Sequence, residues 1–226
     1  AMAPLKISNP ESLTGETTAL IADLASMAWA ADTYLAGSAA LALYLGHRPV
    51  RDLDLMSPVL RLHSVDRRDI LQELLEMDSA CRVETARDGF LYTRTGSGVG
   101  LRLFYYPYPL VDSQAEYQGL AVASPIDLGL MKLGAVISRG TRRDFVDLYL
   151  LCQQLPLTEL FEASSAKYGH VRDFPVQALK GLSDLSQAEG EPMPTLAAPL
   201  DWEEVVVWTR NQVETLGRER VGLNLP

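Results

Sequence analysis

Cysteine is nearly absent. Cys81 and Cys152 are the only two in 226 residues, too few for a disulfide framework or a zinc cluster, and they suit a reducing compartment. Long apolar runs are missing as well: none approaches the ~20 residues of a membrane span, and the N-terminus lacks the basic-then-apolar order of a secretory signal. There is no basic excess either. Twenty Lys and Arg stand against 29 Asp and Glu, a formal charge of −9, which argues against nonspecific coating of nucleic acid, where phosphate neutralisation dominates. Histidine is scarce, and His63 and His170 have no ligand-spaced partners. The remainder, 47% hydrophobic and 22% charged, is the composition of a folded globular protein. A chain of this length buries roughly 70% of its unfolded surface and needs no staple. The expectation is a soluble, cytoplasmic protein without a membrane partner. Ala1, Met2 and Ala3 read as an expression remnant outside the fold.

The charge is uneven. No Lys or Arg interrupts the acidic stretch from Gly181 to Glu204, whereas Arg48, Arg51, Arg61, Arg67 and Arg68 lie close together, and Arg139, Arg142 and Arg143 form a second group. Local positive potential is therefore compatible with the negative total, and so is a phosphate-bearing ligand.

Apolar spacing predicts a helix over residues 16–31, with Leu20, Ile21, Leu24, Met27 and Ala31 on one face. The short apolar run Tyr34-Leu35-Ala36 leads into Gly37-Ser38 and a helix over Ala39–Leu45, stopped by Gly46. Asp52 to Met56 alternates as a half-buried strand does. Ser64 is the expected N-cap of a helix burying Ile70, Leu71, Leu74, Leu75 and Met77. Strands are expected at Cys81–Thr85, Phe90–Thr95 and Val99–Tyr106, with one more at Tyr117–Ala123. Ser124-Pro125 then opens a helical half. Its helices end near Arg139-Gly140, run over Arg142–Gln153, Leu157–Tyr168 and Pro175–Leu185, and finish with one capped by Asp201, after a proline-rich loop at Glu189–Pro199. This divides the chain into an α/β core at 4–123 and a helical region at 124–226.

Two segments carry chemistry. In Tyr34–Met56, Gly37-Ser38 stands where a strand hands over to a helix, whose first N–H groups and dipole suit a phosphate. Asp52 and Asp54, two apart on a strand, project from one face and can meet one magnesium ion. The ordinary alternative is a surface ion network in which Arg48 and Arg51 satisfy them. In Asp127–Leu148, Lys132 and Arg139 share a helix face, as do Asp144 and Asp147 on the next helix. The cations could hold phosphate oxygens, or the two helices could simply be joined by salt bridges. Tyr105, Tyr106 and Tyr108 could stack on a base or pack the sheet. Trp202 and Trp208 are expected to cover the core, and both cysteines to be buried and inert.

Together these segments resemble the AbiEii family within the DNA polymerase β-like nucleotidyltransferase superfamily. The superfamily pattern is a Gly-Gly or Gly-Ser turn followed by an Asp-x-Asp or Asp-x-Glu strand; here it is Gly37-Ser38, a gap, then Asp52-Leu53-Asp54. The AbiEii-like group adds a Lys-Leu-x-Ala-x-x-x-Arg helix and a following Asp, matched by Lys132-Leu133, Ala135, Arg139 and Arg143-Asp144, with Asp147 a turn later. The resemblance spans Tyr34 to about Leu151. It implies an α+β polymerase β-like fold, with a small mixed sheet flanked by helices and a helical C-terminal part. It also implies that Asp52 and Asp54 ligate Mg2+ (or Mn2+), and that Gly37, Ser38, Arg48, Lys132 and Arg139 bind a nucleoside triphosphate. Lys132 and Arg139 would stabilise triphosphate charge, across a cleft from the aspartates, and Asp144 would orient a basic group or the acceptor. The implied reaction is nucleotide transfer to tRNA or a protein side chain, by a toxin-like member of a toxin–antitoxin or phage-defence pair with a cognate antitoxin.

Two departures stand out. Many members carry a third carboxylate on a later central strand, but Gly100–Tyr106 has no acid; Glu84 and Asp144 are the substitutes at hand. Related sequences often have Ser before the aspartates, where this chain has Val50. The alternatives are therefore a catalytically degenerate nucleotide- or partner-binding module of the same fold, and an antibiotic-type small-molecule nucleotidyltransferase.

Overall fold

The computed structural model describes residues 6–221, so Ala1–Ala3 lie outside the described residues. The chain divides into two units, residues 6–124 and the residues from Pro125 onward.

The first unit is built on a seven-stranded sheet. Its strands are β1 (Tyr34–Ala36), β2 (Leu53–Ser57), β3 (Arg82–Arg87), β4 (Phe90–Arg94), β5 (Gly100–Tyr105), β6 (Ala115–Tyr117) and β7 (Leu120–Val122), in the order β3-β4-β5-β2-β1-β7-β6. The sheet is mixed: β2 pairs with β5 and β1 with β7 in parallel, and the other neighbours are antiparallel. Where one strand was expected at Tyr117–Ala123, β6 and β7 form a hairpin over residues 115–122. Gln118 and Gly119 both have positive φ, 52° and 84°, the turn geometry that matches the twist of two paired strands.

Alternation sorts the central strands. Leu53, Leu55, Leu101 and Leu103 are buried on one face, while Asp54, Met56, Arg102 and Phe104 share the other, half-exposed face. α2 (Gly37–Leu45) follows β1 directly and is buried almost all round, from Ala39 to Tyr44. That is the behaviour of a helix without a polar face. Gly46 ends it in a left-handed conformation (φ 62°), as expected.

The helix expected over 16–31 is shorter. α1 (Gly15–Leu24) stops where Ser26 N–H and Oγ turn back onto the Asp23 carbonyl. A 3₁₀ turn at Ala28–Asp32 then buries Trp29 and Ala30 and leaves Ala31 exposed. α3 (Ser64–Met77) is capped one residue earlier than expected, at His63, whose N–H donates to Asp66 at 2.9 Å. It buries Ile70 and Leu74, whereas Leu75 is exposed.

The second unit contains α4 (Pro125–Ser138), α5 (Arg142–Cys152), α6 (Leu157–Tyr168), α7 (Phe174–Ser183), α8 (Ser186–Glu189) and α9 (Trp202–Val221). α4 packs on α5, α6 and α7, and α9 packs on α5 and α7. Trp202 meets Phe145 edge-on, with centroids 6.2 Å apart, and Trp208 meets Tyr149 in the same way at 5.5 Å. Cys81 is buried and Cys152 half-buried, neither in a disulfide. Burial pushes the Cys152 thiol up to about 12. Among the described residues no helix is long and apolar enough to cross a membrane.

The Lys167–Asp127 ion pair is fully enclosed. Lys167 on α6 donates to Asp127 on α4 at 2.8 Å, and neither side chain is exposed. Removing the cation alone leaves a carboxylate in a low-dielectric interior. Urea unfolding of Lys167→Met is expected to show a loss of roughly 3–5 kcal/mol, most of it recovered in the Asp127→Leu/Lys167→Met double variant.

Candidate active site

The first unit gathers its polar groups where β1 hands over to α2. Ala36, the last residue of β1, is in register with Asp54 on β2, so the helix begins beside that carboxylate. Gly37 has φ +61°, and a Cβ there would lie 2.3 Å from Asp54 Oδ2. Only glycine both adopts this conformation without strain and leaves room for the carboxylate. Ser38 Oγ accepts a hydrogen bond from the buried Arg48.

Asp52 and Asp54 project to the same side, as their spacing requires. They converge on one cation, but it is neither Arg48 nor Arg51. Arg51 donates to the Ser97 carbonyl and Arg48 to Ser38. The partner is Arg102 on β5, paired in parallel register with Asp54. Its Nη2 donates to Asp52 Oδ2 at 2.7 Å and its Nη1 to Asp54 Oδ1 at 2.9 Å. The three side chains are 31%, 30% and 22% exposed for Arg102, Asp52 and Asp54. Asp52 Oδ1 also accepts the Gly100 N–H at 3.0 Å. Burial alone would lower the Arg102 pKa; the Asp54 charge and hydrogen bond, and then the Asp52 charge, raise it above its usual value.

Arg102 therefore stands on the strand expected to carry a third carboxylate. Glu84 does not replace that acid. It lies on the exposed edge strand β3, two strands away from β5, and pairs with Arg94 at 3.1 Å and Arg82 at 3.4 Å. Among the described residues no three His, Cys, Asp or Glu side chains gather as a metal site; Asp52 and Asp54 are a pair of carboxylates that could hold a metal. Asp52 and Asp54 offer hard carboxylate oxygens of the kind a divalent cation takes, and Asp54 Oδ2, turned toward Gly37, is engaged by neither Arg102 nor Gly100.

In the second unit Lys132 and Arg139 on α4 meet α5. Lys132 Nζ lies 3.3 Å from Asp144 Oδ1 and 2.7 Å from Asp147 Oδ2, and all three side chains are buried. Arg139 grips Asp144 with two bonds of 2.8 Å, although its own side chain is 60% exposed. Thr141, the N-cap of α5, adds a 2.6 Å hydrogen bond. The salt-bridge arrangement between these helices is thus present, and Asp144 is its centre. Burial alone would raise the Asp144 pKa, but the Arg139 hydrogen bonds, the Lys132 charge and the Thr141 hydroxyl pull it down to about 2.

Sequence reasoning missed Arg102, Tyr92 beneath it, Gly100 and Thr141. The one legible signal was Leu101-Arg102-Leu103, where alternation puts an arginine on the polar face of a strand. Of the tyrosines considered for stacking, Tyr106 and Tyr108 pack on each other at 4.7 Å, and Arg61 lies over Tyr105.

A Gly-Ser turn abutting an Asp-x-Asp strand in a mixed sheet defines a polymerase β-like nucleotidyltransferase fold, and comparison with solved structures agrees. The nucleotidyltransferase toxin MenT4 of Mycobacterium tuberculosis H37Rv superposes with a TM-score of 0.52 at 16% identity, covering 88% of this chain and 85% of that one. A Helicobacter pylori protein solved as a candidate nucleotidyltransferase gives 0.51 at 16% identity, over 94% and 100%. The chain belongs to the AbiEii nucleotidyl transferase toxin family of type IV toxin–antitoxin systems, whose family model matches residues 19–206. An uncharacterized protein of Aquifex aeolicus (strain VF5) is 27% identical over 187 residues, 81% of this chain and 87% of that protein. The chain is thus a toxin-type nucleotidyltransferase by family, and nucleotidyltransferases generally use divalent metal ions.

Two outcomes follow from the geometry. Gly37→Ala forces a side chain into a left-handed conformation and against Asp54, so thermal or urea unfolding is expected to show a loss of about 1–2 kcal/mol. The Asp144 carboxylate has a folded pKa below its unfolded value, so its stabilising contribution is complete above about pH 4 and lost as pH falls through about 2. Unfolding midpoints measured across this window should fall by an amount equivalent to about 2 kcal/mol, and Asp144→Asn should remove that part of the slope.

Proposed function

We propose that this chain transfers a nucleoside monophosphate from a nucleoside triphosphate to an RNA or protein acceptor, using Mg2+, as the toxin of a pair with a cognate antitoxin. The observation that carries the reading is the convergence of Asp52 and Asp54 on one cationic point, with the start of α2 against Asp54. Asp52 and Asp54 hold the metal, for which Mn2+ is a chemically acceptable substitute. Gly37 and Ser38 receive phosphate oxygens at the helix start, and Arg48 fixes the Ser38 hydroxyl. Lys132 and Arg139 are assigned to triphosphate charge by their match to the family helix, and Asp144 keeps both cations in place.

The acceptor hydroxyl attacks the α-phosphorus in line and gives up its proton to solvent, and the bond to the pyrophosphate oxygen breaks with its electrons leaving on pyrophosphate. Bound metal supplies charge neutralisation of the phosphates. The chain's own residues supply placement: two carboxylates at the start of a rigid strand and a helix terminus that cannot drift from them, because Ala36 and Asp54 are register partners on adjacent strands of the sheet.

Purified protein incubated with labelled triphosphates, Mg2+, total RNA and cell lysate is expected to leave label on RNA or protein. EDTA, or Asp52→Ala with Asp54→Ala, should reduce the label by at least about 10³-fold while circular dichroism stays unchanged. Label that persists in the folded double variant removes the two aspartates from the mechanism. Label found only on an added aminoglycoside identifies a small-molecule enzyme.

A further inference from the structure

We propose that Arg102 is the resident cation of the aspartate pair: it occupies the place of one of two metal ions, so the site takes a single divalent ion. The inference deepens the proposed function and rests on its reading of Asp52 and Asp54 as metal-holding carboxylates.

The guanidinium is held from several sides. Its flanking residues Leu101 and Leu103 are buried on the opposite face, which fixes the direction of the Arg102 side chain by strand alternation. Arg102 Cζ lies 5.0 Å from the centroid of the Tyr92 ring, and Tyr92 is its cross-strand partner on β4. The Tyr92 hydroxyl in turn accepts a hydrogen bond from Arg94. Aromatic stacking, strand register and a fork of two charge-assisted bonds therefore converge on the same group.

The oxygens tell the same story. Asp52 Oδ1 takes the Gly100 N–H, Asp52 Oδ2 takes Nη2 and Asp54 Oδ1 takes Nη1. The fourth, Asp54 Oδ2, is turned toward Gly37 at the start of α2. A two-metal site needs its carboxylates to share several oxygens between two dications. Here three of the four are engaged by hydrogen-bond donors, and a second dication between the carboxylates would meet the guanidinium charge. One ion on the Asp54 Oδ2 side satisfies both charge and geometry, and Arg102 supplies the other positive centre without dissociating.

Mn2+ alone, titrated into the full chain and followed by the electron-paramagnetic-resonance signal of the free ion, tests this directly. The wild-type protein is expected to bind no more than one equivalent at this site. Arg102→Gln, which keeps a donor and deletes the charge, should bind Mn2+ about tenfold more tightly or better. Arg102→Asp, which puts a carboxylate on β5, should take up a second equivalent, and Arg102→Lys should behave as wild type. Adding Asp52→Asn and Asp54→Asn to Arg102→Gln should abolish the gain. Two equivalents on the wild-type chain, unchanged affinity in a folded Arg102→Gln, or a gain that survives loss of both aspartates would each overturn the proposal. If Arg102→Gln does not fold, the wild-type stoichiometry and the Arg102→Lys titration still decide. Nucleotide labelling is read separately. A chain that transfers label yet binds two Mn2+ keeps its proposed function and loses the single-ion site. A chain with the expected Mn2+ shifts and no transfer does the reverse.

Discussion

Two carboxylates of like charge, one just before a sheet strand and one on it, repel each other unless a cation stands between them. The rest of the first unit is organised around that constraint. Asp54 is set against the start of α2, which is possible because Gly37 has no side chain. Asp52 is set against Gly100, where a Cβ would lie 2.8 Å from its carboxyl carbon. Arg102 closes the triangle from β5. Two glycines and one arginine, far apart in sequence, are thus tied to the same pair of acids.

The second unit solves a related problem by burial. Asp144 and Asp147 are enclosed, and Lys132 and Arg139 neutralise them from α4. The exposure differs between the two cations. Lys132 is buried with its partners, whereas Arg139 holds a buried acid with a guanidinium that stays at the surface. A planar fork can do this, because it offers donors on more than one edge. The family motif Lys-Leu-x-Ala-x-x-x-Arg therefore has a structural role within its own unit, independent of any substrate. The site motifs sit in a fold that MenT4 and the H. pylori protein share at only 16% identity.

Much of this was legible beforehand. The Tyr34–Ala36 run, the Gly46 stop, the Asp52–Met56 alternation and the Ser124-Pro125 helix start all depend on local rules, and local rules operate along the chain. The failures were also physical. The helix expected to reach residue 31 stops at Leu24 because a serine turns the backbone onto Asp23, a choice that apolar spacing does not register. Tyr117–Ala123 splits into a hairpin because Gln118 accepts a positive φ, which few non-glycine residues do. The alternative in which Arg48 and Arg51 satisfy the aspartates follows sequence proximity, yet these arginines donate to Ser38 and to the Ser97 carbonyl.

Local pattern alone sets which residues share a face: period-two alternation puts Asp52 and Asp54 on one side, and helical periodicity puts Lys132 and Arg139 on one side, whatever the remainder of the chain does. It also carried the family, through the order and spacing of short motifs. What those faces meet is set by the assembled fold. β2 and β5 are parallel neighbours although some forty residues and two other strands intervene, and strand pairing of that kind is set by the whole sheet and not by any local pattern. That pairing delivers an arginine, and not a third acid, to the aspartates.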